Sequence, residues 1–255
     1  MADESLLLTN ITIDRFNELL AQYNPLTASI SSTKSVKPGQ KTLLELDAFR
    51  YEDAVARFRS RTPQARMTHE DVKVLVDWKL RHGKFRPTLM KLVSSNDEAT
   101  VADTIEKAMA NYWPDRDASK ALDAIAKLKG IGPATASLLL SVHDPDRVIF
   151  FSDEAFYWMC CGGRKSPIKY NAKEYQELNV AAQVLVKRLG VSATDIEKVA
   201  YVLMKEDSQA TTSVMSETKP TKADSPKPPT KRKSTTAADT SSQAPVRRSK
   251  RGKAS

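Results

Sequence analysis

The chain has 255 residues, which is enough for one substantial hydrophobic core and an appended tail. Its net charge is +9, but residues 219–255 hold eleven basic side chains against only Asp224 and Asp239. That segment therefore accounts for the whole excess of positive charge, and residues 1–218 have equal numbers of acidic and basic side chains. The basic composition is thus only weak evidence that the folded part binds nucleic acid.

The sequence shows no feature typical of membrane or secreted proteins. No apolar run approaches the roughly 20 residues of a membrane span. The run Leu6-Leu7-Leu8 is too short for a signal peptide and lacks a basic leader. The only cysteines, Cys160 and Cys161, are adjacent, a spacing that suits neither a disulfide framework nor a metal site. We expect an intracellular protein with reduced thiols, no bound metal and no membrane partner.

Apolar periodicity predicts an all-helical folded part. A first helix begins after Thr12 as N-cap. Residues 25–40 are rich in Ser, Thr, Lys, Pro and Gly, and we expect a mobile loop there. One or two helices follow over 43–58. A capping box over 68–71 opens the next helix, which ends at Gly83.

A basic segment that contains aromatic residues surrounds Gly83. On the simpler interpretation, its cations favour the C-terminus of the preceding helix and Trp78 belongs to the core. Alternatively, the segment follows a phosphate backbone, with Phe85 or Trp78 near a base. On that alternative, the candidate DNA contacts are Lys79, Arg81, Lys84 and Arg86.

The most specific pattern of the chain is L-K-G-I-G-P-A-T-A-S, residues 128–137. An apolar stripe precedes it, and the wholly apolar 138–140 follows it, which is typical of a buried helix. Gly130 can adopt the positive φ that ends a helix, and Pro133 suits the first position of the next one. We therefore predict two helices joined by a tight turn, and we call residues 118–141 the candidate hairpin.

The candidate hairpin also predicts an anion site. Free N–H groups at the start of its second helix, the helix dipole and the absent side chain at Gly132 favour a phosphate. A turn that only packs the two helices together is the alternative. The residues predicted to contact a DNA backbone are Gly130, Ile131, Gly132, Ala134 and Thr135.

Beyond the candidate hairpin, residues 147–151 form the one strand-like run, and without a partner strand we expect a buried extended segment. Ser152-Asp153-Glu154 then opens a helix, and two further helices follow, the first of which ends at Gly190. From residue 208 onward large apolar residues are nearly absent, so the chain cannot bury enough surface to offset its conformational entropy. We expect a folded domain over 1–207 and a disordered basic tail over 208–255.

Two basic clusters in the tail predict nuclear localisation signals or loose DNA-binding arms. Their members are Lys231, Arg232, Lys233, Arg247, Arg248, Lys250 and Arg251. We therefore expect a nuclear protein that a nuclear import receptor binds.

The candidate hairpin is followed, 21 residues after Gly132, by Asp153 at a helix start. This combination resembles the helix-hairpin-helix/Gly-Pro-Asp superfamily of DNA glycosylases, specifically over residues 119–159. The segments W-K-L-x-x-G-K-F-R-P and F-x-S-D-E-A are similar to the Amun-like group of nuclear glycosylase-like proteins. The resemblance implies a glycosylase-like helical fold and DNA as partner. It also implies that Asp153 stabilises the oxocarbenium-like sugar as the base leaves.

The chain departs from the family pattern in several places. Ala134 stands where bifunctional members carry a Schiff-base lysine, so β-lyase chemistry by that route is excluded and a monofunctional glycosylase is implied. The four-cysteine cluster loop of many relatives is absent, so we expect no iron–sulfur cluster, although a monovalent cation at the hairpin is compatible with the pattern. Glu154 adds a second carboxylate that would repel phosphate. Asp153 or Ser152 could also be merely the N-cap of its helix.

Two classes of function stay open at this stage. One is a DNA-binding protein that hydrolyses the N-glycosidic bond of a flipped base, and the other is a non-catalytic helical scaffold that binds a chromatin or signalling protein. The balanced charge of residues 1–218 favours the scaffold, and the dense candidate-hairpin pattern favours DNA. The observation that would best separate these two classes of function is whether Asp153 lines a pocket on the same face as the hairpin N–H groups.

Overall fold

The structure, a computed structural model, describes residues 6–61 and 65–216, with side chains as far as residue 205. Over these residues every regular element is a helix and no strand occurs, which confirms the predicted all-α class. No described helix is long and apolar enough to span a membrane. The predicted nuclear localisation clusters lie outside the described residues.

Residues 134–141, in the helix that begins at Pro133, are all buried. The helices that begin at His69, Ala118 and Ala172 contact this helix directly. In chain order the elements are α1 (Ile13–Thr33), α2 (Leu43–Ala48), a π-helical turn (Phe49–Asp53), α3 (Ala54–Phe58), α4 (His69–His82), α5 (Leu89–Ser94), α6 (Glu98–Asp115), α7 (Ala118–Ile125), α8 (Pro133–Ser141), α9 (Asp153–Cys160), α10 (Ala172–Leu189) and α11 (Ala193–Ser216).

Local sequence signals set several helix ends as predicted. Thr12 is the N-cap of α1 and accepts a hydrogen bond from the N–H of Arg15. Thr68 and Asp71 form the capping box of α4. Gly190 ends α10 with a φ of 70°, in the left-handed region that glycine adopts without steric cost. The strand-like run 147–151 is irregular and almost entirely buried from residue 148, as predicted.

The prediction of a mobile loop over 25–40 is wrong for its first part, because α1 continues through Pro25 to Thr33. Proline removes one helical hydrogen bond, a cost that tertiary packing can outweigh. Here α1 packs against α2 and α11. Thr27 is fully buried in that contact, and the Ser31 hydroxyl accepts a hydrogen bond from the N–H of Leu44 at 3.4 Å. Between α1 and α2, residues 34–42 are non-helical.

The predicted domain end at residue 207 is also too early for the backbone, because α11 continues to Ser216. Residues 208–216 contain neither proline nor glycine. A helix that is already nucleated can extend through such residues, since each adds one hydrogen bond. The loss of large apolar side chains therefore does not mark the end of the helix.

A buried polar cluster fixes the last turn of α4. Trp78 is fully buried, as the simpler interpretation of the basic segment predicted, and its indole N–H donates to Asp47 at 2.9 Å. The hydroxyl of Tyr23 donates to the same carboxylate at 2.8 Å. His82 Nε2, 3.0 Å from that hydroxyl oxygen, must therefore be the donor in their contact. Burial lowers the pKa of His82 well below its usual value, so this ring is neutral.

Candidate functional site

The candidate hairpin forms two helices, α7 and α8, joined by a turn over residues 126–132. Gly130 has a φ of +77°, and a Cβ there would lie 2.8 Å from the Cβ of Leu92, so both conformation and packing require glycine. The Asn96 side chain holds the turn in place. It donates to the carbonyl of Lys129 at 2.9 Å and accepts from the N–H of Lys129 at 2.8 Å.

Gly132 differs from the other glycines of the described residues. Its φ of −101° and ψ of −177° are extended and open to any residue. A Cβ at this position would meet nothing within 4 Å. Gly132 is exposed and is the N-cap of α8, where no side chain caps the helix. Neither backbone conformation nor packing therefore explains a glycine here, whereas the approach of a ligand would.

The structure changes the predicted set of hairpin donors. The N–H of Thr135 donates to the carbonyl of Gly132 at 2.9 Å, so it is not free for an anion. The side chain of Ile131 is buried, and its N–H donates to Leu128. No acceptor among the described residues pairs with the N–H of Gly132 or of Ala134. Both groups lie at the positive end of α8, where a helix favours negative charge.

Asp153 lines a pocket of about 220 Å³, which we call the Asp153 pocket. Its walls are formed by the last turn of α4, the extended segment before α9, and Gly83, Lys84, Arg86, Tyr170 and Lys205. Ala134, in the first turn of α8, belongs to the same wall. The fold thus brings Asp153 and the start of the second hairpin helix into one pocket.

The N-cap of α9 is Ser152 and not Asp153. The hydroxyl of Ser152 accepts a hydrogen bond from the N–H of Ala155 at 3.0 Å. Asp153 is instead the first helical residue, where the helix dipole favours a negative charge. Its Oδ1 accepts a hydrogen bond from the hydroxyl of Tyr170 at 2.5 Å. Burial and this hydrogen bond raise the pKa of Tyr170, so the phenol stays protonated and holds the carboxylate in place.

Three of the four candidate DNA contacts of the basic segment line the Asp153 pocket, namely Lys79, Lys84 and Arg86. The fourth, Arg81, does not line this pocket and is paired with Asp77 at 3.0 Å. Phe85 is 70% exposed, so its ring is available for contact with a base, whereas Trp78 is in the core.

Lys79 is the most perturbed cation of this pocket. Its Nζ donates to the hydroxyl of Thr135 at 2.9 Å. Burial, reinforced by the neighbouring charge of Arg86, lowers the pKa of Lys79 to about 8, and the carboxylate of Asp153 opposes that shift.

The second carboxylate of the site is neutralised within the fold. Glu154 forms an ion pair with Lys205 of α11, with Oε1 and Nζ 3.4 Å apart. The repulsion that the sequence predicts between Glu154 and a phosphate is therefore reduced. Sequence reasoning missed both Lys205 and Tyr170, because each is distant along the chain and no motif includes it.

The described residues contain no group of three or more His, Cys, Asp or Glu side chains arranged to bind a metal ion. Cys160 and Cys161 are free and half-buried. Burial raises the pKa of Cys160 to about 12, which keeps its thiol protonated. Comparison of the chain with protein-family models, curated proteins and solved structures gives no match.

Proposed function

We propose that this chain is a nuclear DNA-binding protein of DNA glycosylase-like fold that excises a base as a monofunctional glycosylase. In this proposal α7 and α8 form a helix-hairpin-helix motif that binds one strand of DNA, and the Asp153 pocket receives the flipped nucleotide. One observation carries the proposal: Asp153 and the first turn of α8 line the same pocket.

The hairpin would bind the DNA backbone through the two N–H groups of Gly132 and Ala134. The open space at the Gly132 Cβ position lets a phosphate oxygen approach them closely. Such contacts position the strand without reading its sequence. The cations Lys84 and Arg86, both exposed, add positive charge next to the pocket although the folded part has balanced charge overall.

The dimensions of the Asp153 pocket fit a small group. Pockets for drug-sized ligands have volumes of about 300–1,000 Å³, whereas this one has about 220 Å³. A nucleobase or its deoxyribose is a ligand of that smaller class. A base taken out of the stack would place its glycosidic bond next to Asp153.

Asp153 would act by electrostatic stabilisation. As the base leaves, positive charge develops at the anomeric carbon, and a fixed carboxylate nearby lowers the energy of that state. Tyr170 orients the carboxylate through its 2.5 Å hydrogen bond. A water molecule then completes the hydrolysis.

Binding through the hairpin predicts that Gly132→Glu weakens duplex binding about tenfold or more, because a carboxylate would occupy the phosphate site. The fold should tolerate the change, since a Cβ there has open space and a permitted φ. Binding is measured against salt concentration in a full-length chain whose seven clustered tail cations are replaced by Gln. Unfolding is followed in parallel.

Two controls separate the causes of such a loss. Gly132→Gln has the same size without the charge and should bind more tightly than Gly132→Glu. Val180→Glu adds the same charge at an exposed residue of α10 that does not line the pocket, and it should leave binding unchanged. Equal binding by the parent chain and Gly132→Glu, or binding by neither, would favour the helical scaffold for a chromatin or signalling protein.

The tail clusters predict nuclear import and a salt-sensitive addition to DNA affinity. Replacing Lys231, Arg232, Lys233, Arg247, Arg248, Lys250 and Arg251 by Gln should move a fluorescent fusion out of the nucleus. The melting temperature should not change, because the composition of residues 208–255 predicts no packed core there. Continued nuclear accumulation of the variant would contradict the targeting role.

A further inference from the structure

A second pocket shares no lining residue with the Asp153 pocket, and the function proposed above does not use it. Its volume is about 430 Å³, which lies within the roughly 300–1,000 Å³ typical of small-molecule sites. We call it the α6 pocket, because five of the residues that line it belong to α6. Its apolar lining consists of Ala65, Met67, Ile105, Met109, Ala110 and Trp113.

The apolar lining of the α6 pocket suits an aromatic ring. Met67, Ile105 and Met109 are buried, and Trp113 is half-buried. The sulfur atom of a methionine makes favourable contacts with aromatic rings. An indole side chain packs well against another ring, either offset or edge to face. These residues therefore favour a planar aromatic ligand over an irregular aliphatic one.

The exposed charged residues of the α6 pocket balance one another. Arg66 is already paired, with Glu106 at 2.8 Å and also with Asp103. Arg61 is the other exposed cation of the lining. Two arginines thus stand with two carboxylates, and the mouth of the pocket has no net charge to attract an ion. A neutral ligand is favoured.

The α6 pocket is also lined by a buried hydrogen-bonding side chain, His143, which is only 4% exposed. Its Nδ1 lies 3.1 Å from the carbonyl oxygen of Phe58. Because a carbonyl oxygen can only accept, Nδ1 must carry a hydrogen. Burial lowers the pKa of His143 to about 4, so near pH 7 the ring is neutral and Nε2 is an acceptor.

No described residue donates a hydrogen bond to Nε2 of His143. A buried acceptor without a partner is unfavourable, because it has lost its bond to water and gained no other. Nδ1 and Nε2 lie on different sides of the imidazole ring, so Nε2 is turned away from Phe58. A bound water molecule would need two to four polar partners, which the apolar lining does not supply. A ligand with a single N–H needs only this acceptor.

We propose that the α6 pocket binds a neutral, planar heteroaromatic compound whose ring N–H donates a hydrogen bond to Nε2 of His143. The apolar lining contacts the ring, the balanced charges at the mouth exclude no neutral compound, and the N–H pairs with the free acceptor. This site does not depend on the proposed function, since it shares no residue with the Asp153 pocket or with the turn at Gly132.

Indole is the probe for this proposal, because it is a neutral planar ring with one N–H. Benzothiophene is the matched compound, since it has a similar shape but carries sulfur in place of the N–H. Calorimetric titration of the full chain should show one site that binds indole at least about tenfold more tightly than benzothiophene. Absence of saturable indole binding, or benzothiophene binding that is equal or tighter, would overturn the proposal.

Nitrogen-15 NMR of the histidine rings locates the bound indole. The chain has three histidines, His69, His82 and His143. Indole should shift the Nε2 signal of His143, because that nitrogen gains a hydrogen bond, and it should leave the other two rings unchanged. His82 lines the Asp153 pocket. A shift at His82 without one at His143 would place indole in that pocket and contradict the proposal.

A pair of variants on α6 tests the pocket without altering His143. Ala110 is exposed and lines the pocket, so Ala110→Trp should fill it, weaken indole binding at least about tenfold and change the melting temperature little. Ala99→Trp makes the same change at an exposed position of α6 that does not line the pocket, and it should bind indole as the parent chain does. Undiminished binding by a folded Ala110→Trp would overturn the proposal. None of these measurements involves DNA, so their failure would leave the proposed function unaffected.

Discussion

Replacing Asp153 by Asn lowers base release at least about 100-fold and leaves stability almost unchanged. The loss follows because a neutral amide cannot offset the positive charge that develops on the sugar. Stability should change little, because the N-cap of α9 is Ser152 and the amide oxygen that the substitution introduces can still accept the hydrogen bond from Tyr170. The assay measures release of uracil, alkylated purines and oxidised bases from duplex oligonucleotides, followed by alkali to reveal abasic sites.

Two variants separate catalysis by Asp153 from its structural surroundings. Ser152→Ala removes the helix cap and should cost about 0.5–2 kcal/mol of stability. Tyr170→Phe keeps the carboxylate but removes the hydrogen bond that orients it, and it should reduce release less than Asp153→Asn does.

Two results would contradict this part of the proposal. Full activity of purified Asp153→Asn would exclude Asp153 from the mechanism. Release of no base by the parent chain would favour the scaffold function.

Replacing Glu197 by Ala destabilises the folded domain by about 3–5 kcal/mol. Arg50 and Glu197 are fully buried, with Nη2 and Oε2 3.4 Å apart. Burial raises the pKa of Glu197, and the charge of Arg50 opposes that shift. The Arg50 guanidinium also donates to the hydroxyl of Ser141 at 2.7 Å, and the Tyr51 hydroxyl donates to Glu197 at 2.8 Å. Removal of the carboxylate leaves the arginine charge buried without its ion-pair partner.

Denaturant unfolding measures this cost. An exposed pair, Arg15 and Glu18, gives the control, because Glu18→Ala should cost no more than about 1 kcal/mol. The double variant Arg50→Met/Glu197→Leu should recover most of the loss, since it removes both charges and keeps apolar volume. A loss in Glu197→Ala no greater than that in Glu18→Ala would show that the buried pair contributes little.

Features of the fold that depend on residues close together along the chain were predicted from the sequence. The turn at Gly130, the proline at the start of α8 and the cap at Thr68 were all confirmed. Such features can be predicted because a cap, a left-handed glycine or an apolar stripe depends on residues within about one helical turn. The burial of Trp78 follows for the same reason, from its place on an amphipathic helix.

The composition of the candidate site was only partly predictable. Asp153 and the hairpin were identified from their order along the chain. Only the structure shows that both line one pocket. Tyr170 lies in a loop and reaches Asp153 through a backbone with a φ of 55°, which no sequence pattern indicates. The hydrogen bond from Arg81 to Gln40 likewise depends on another segment, whereas its ion pair with Asp77 is an i,i+4 contact within α4.

The sequence alone determined the helical class, several helix ends, the glycine turn and the position of the candidate carboxylate, because each depends on short-range stereochemistry. Tertiary structure alone decided that α1 continues through Pro25, that Glu154 is paired with Lys205, and that the pKa of Lys79 falls to about 8. It also decided the pairing of Arg50 with Glu197, which are 147 residues apart. These properties arise from burial and from charges that meet only in the folded chain, since desolvation and electrostatic interaction depend on distance in space and not on distance along the sequence.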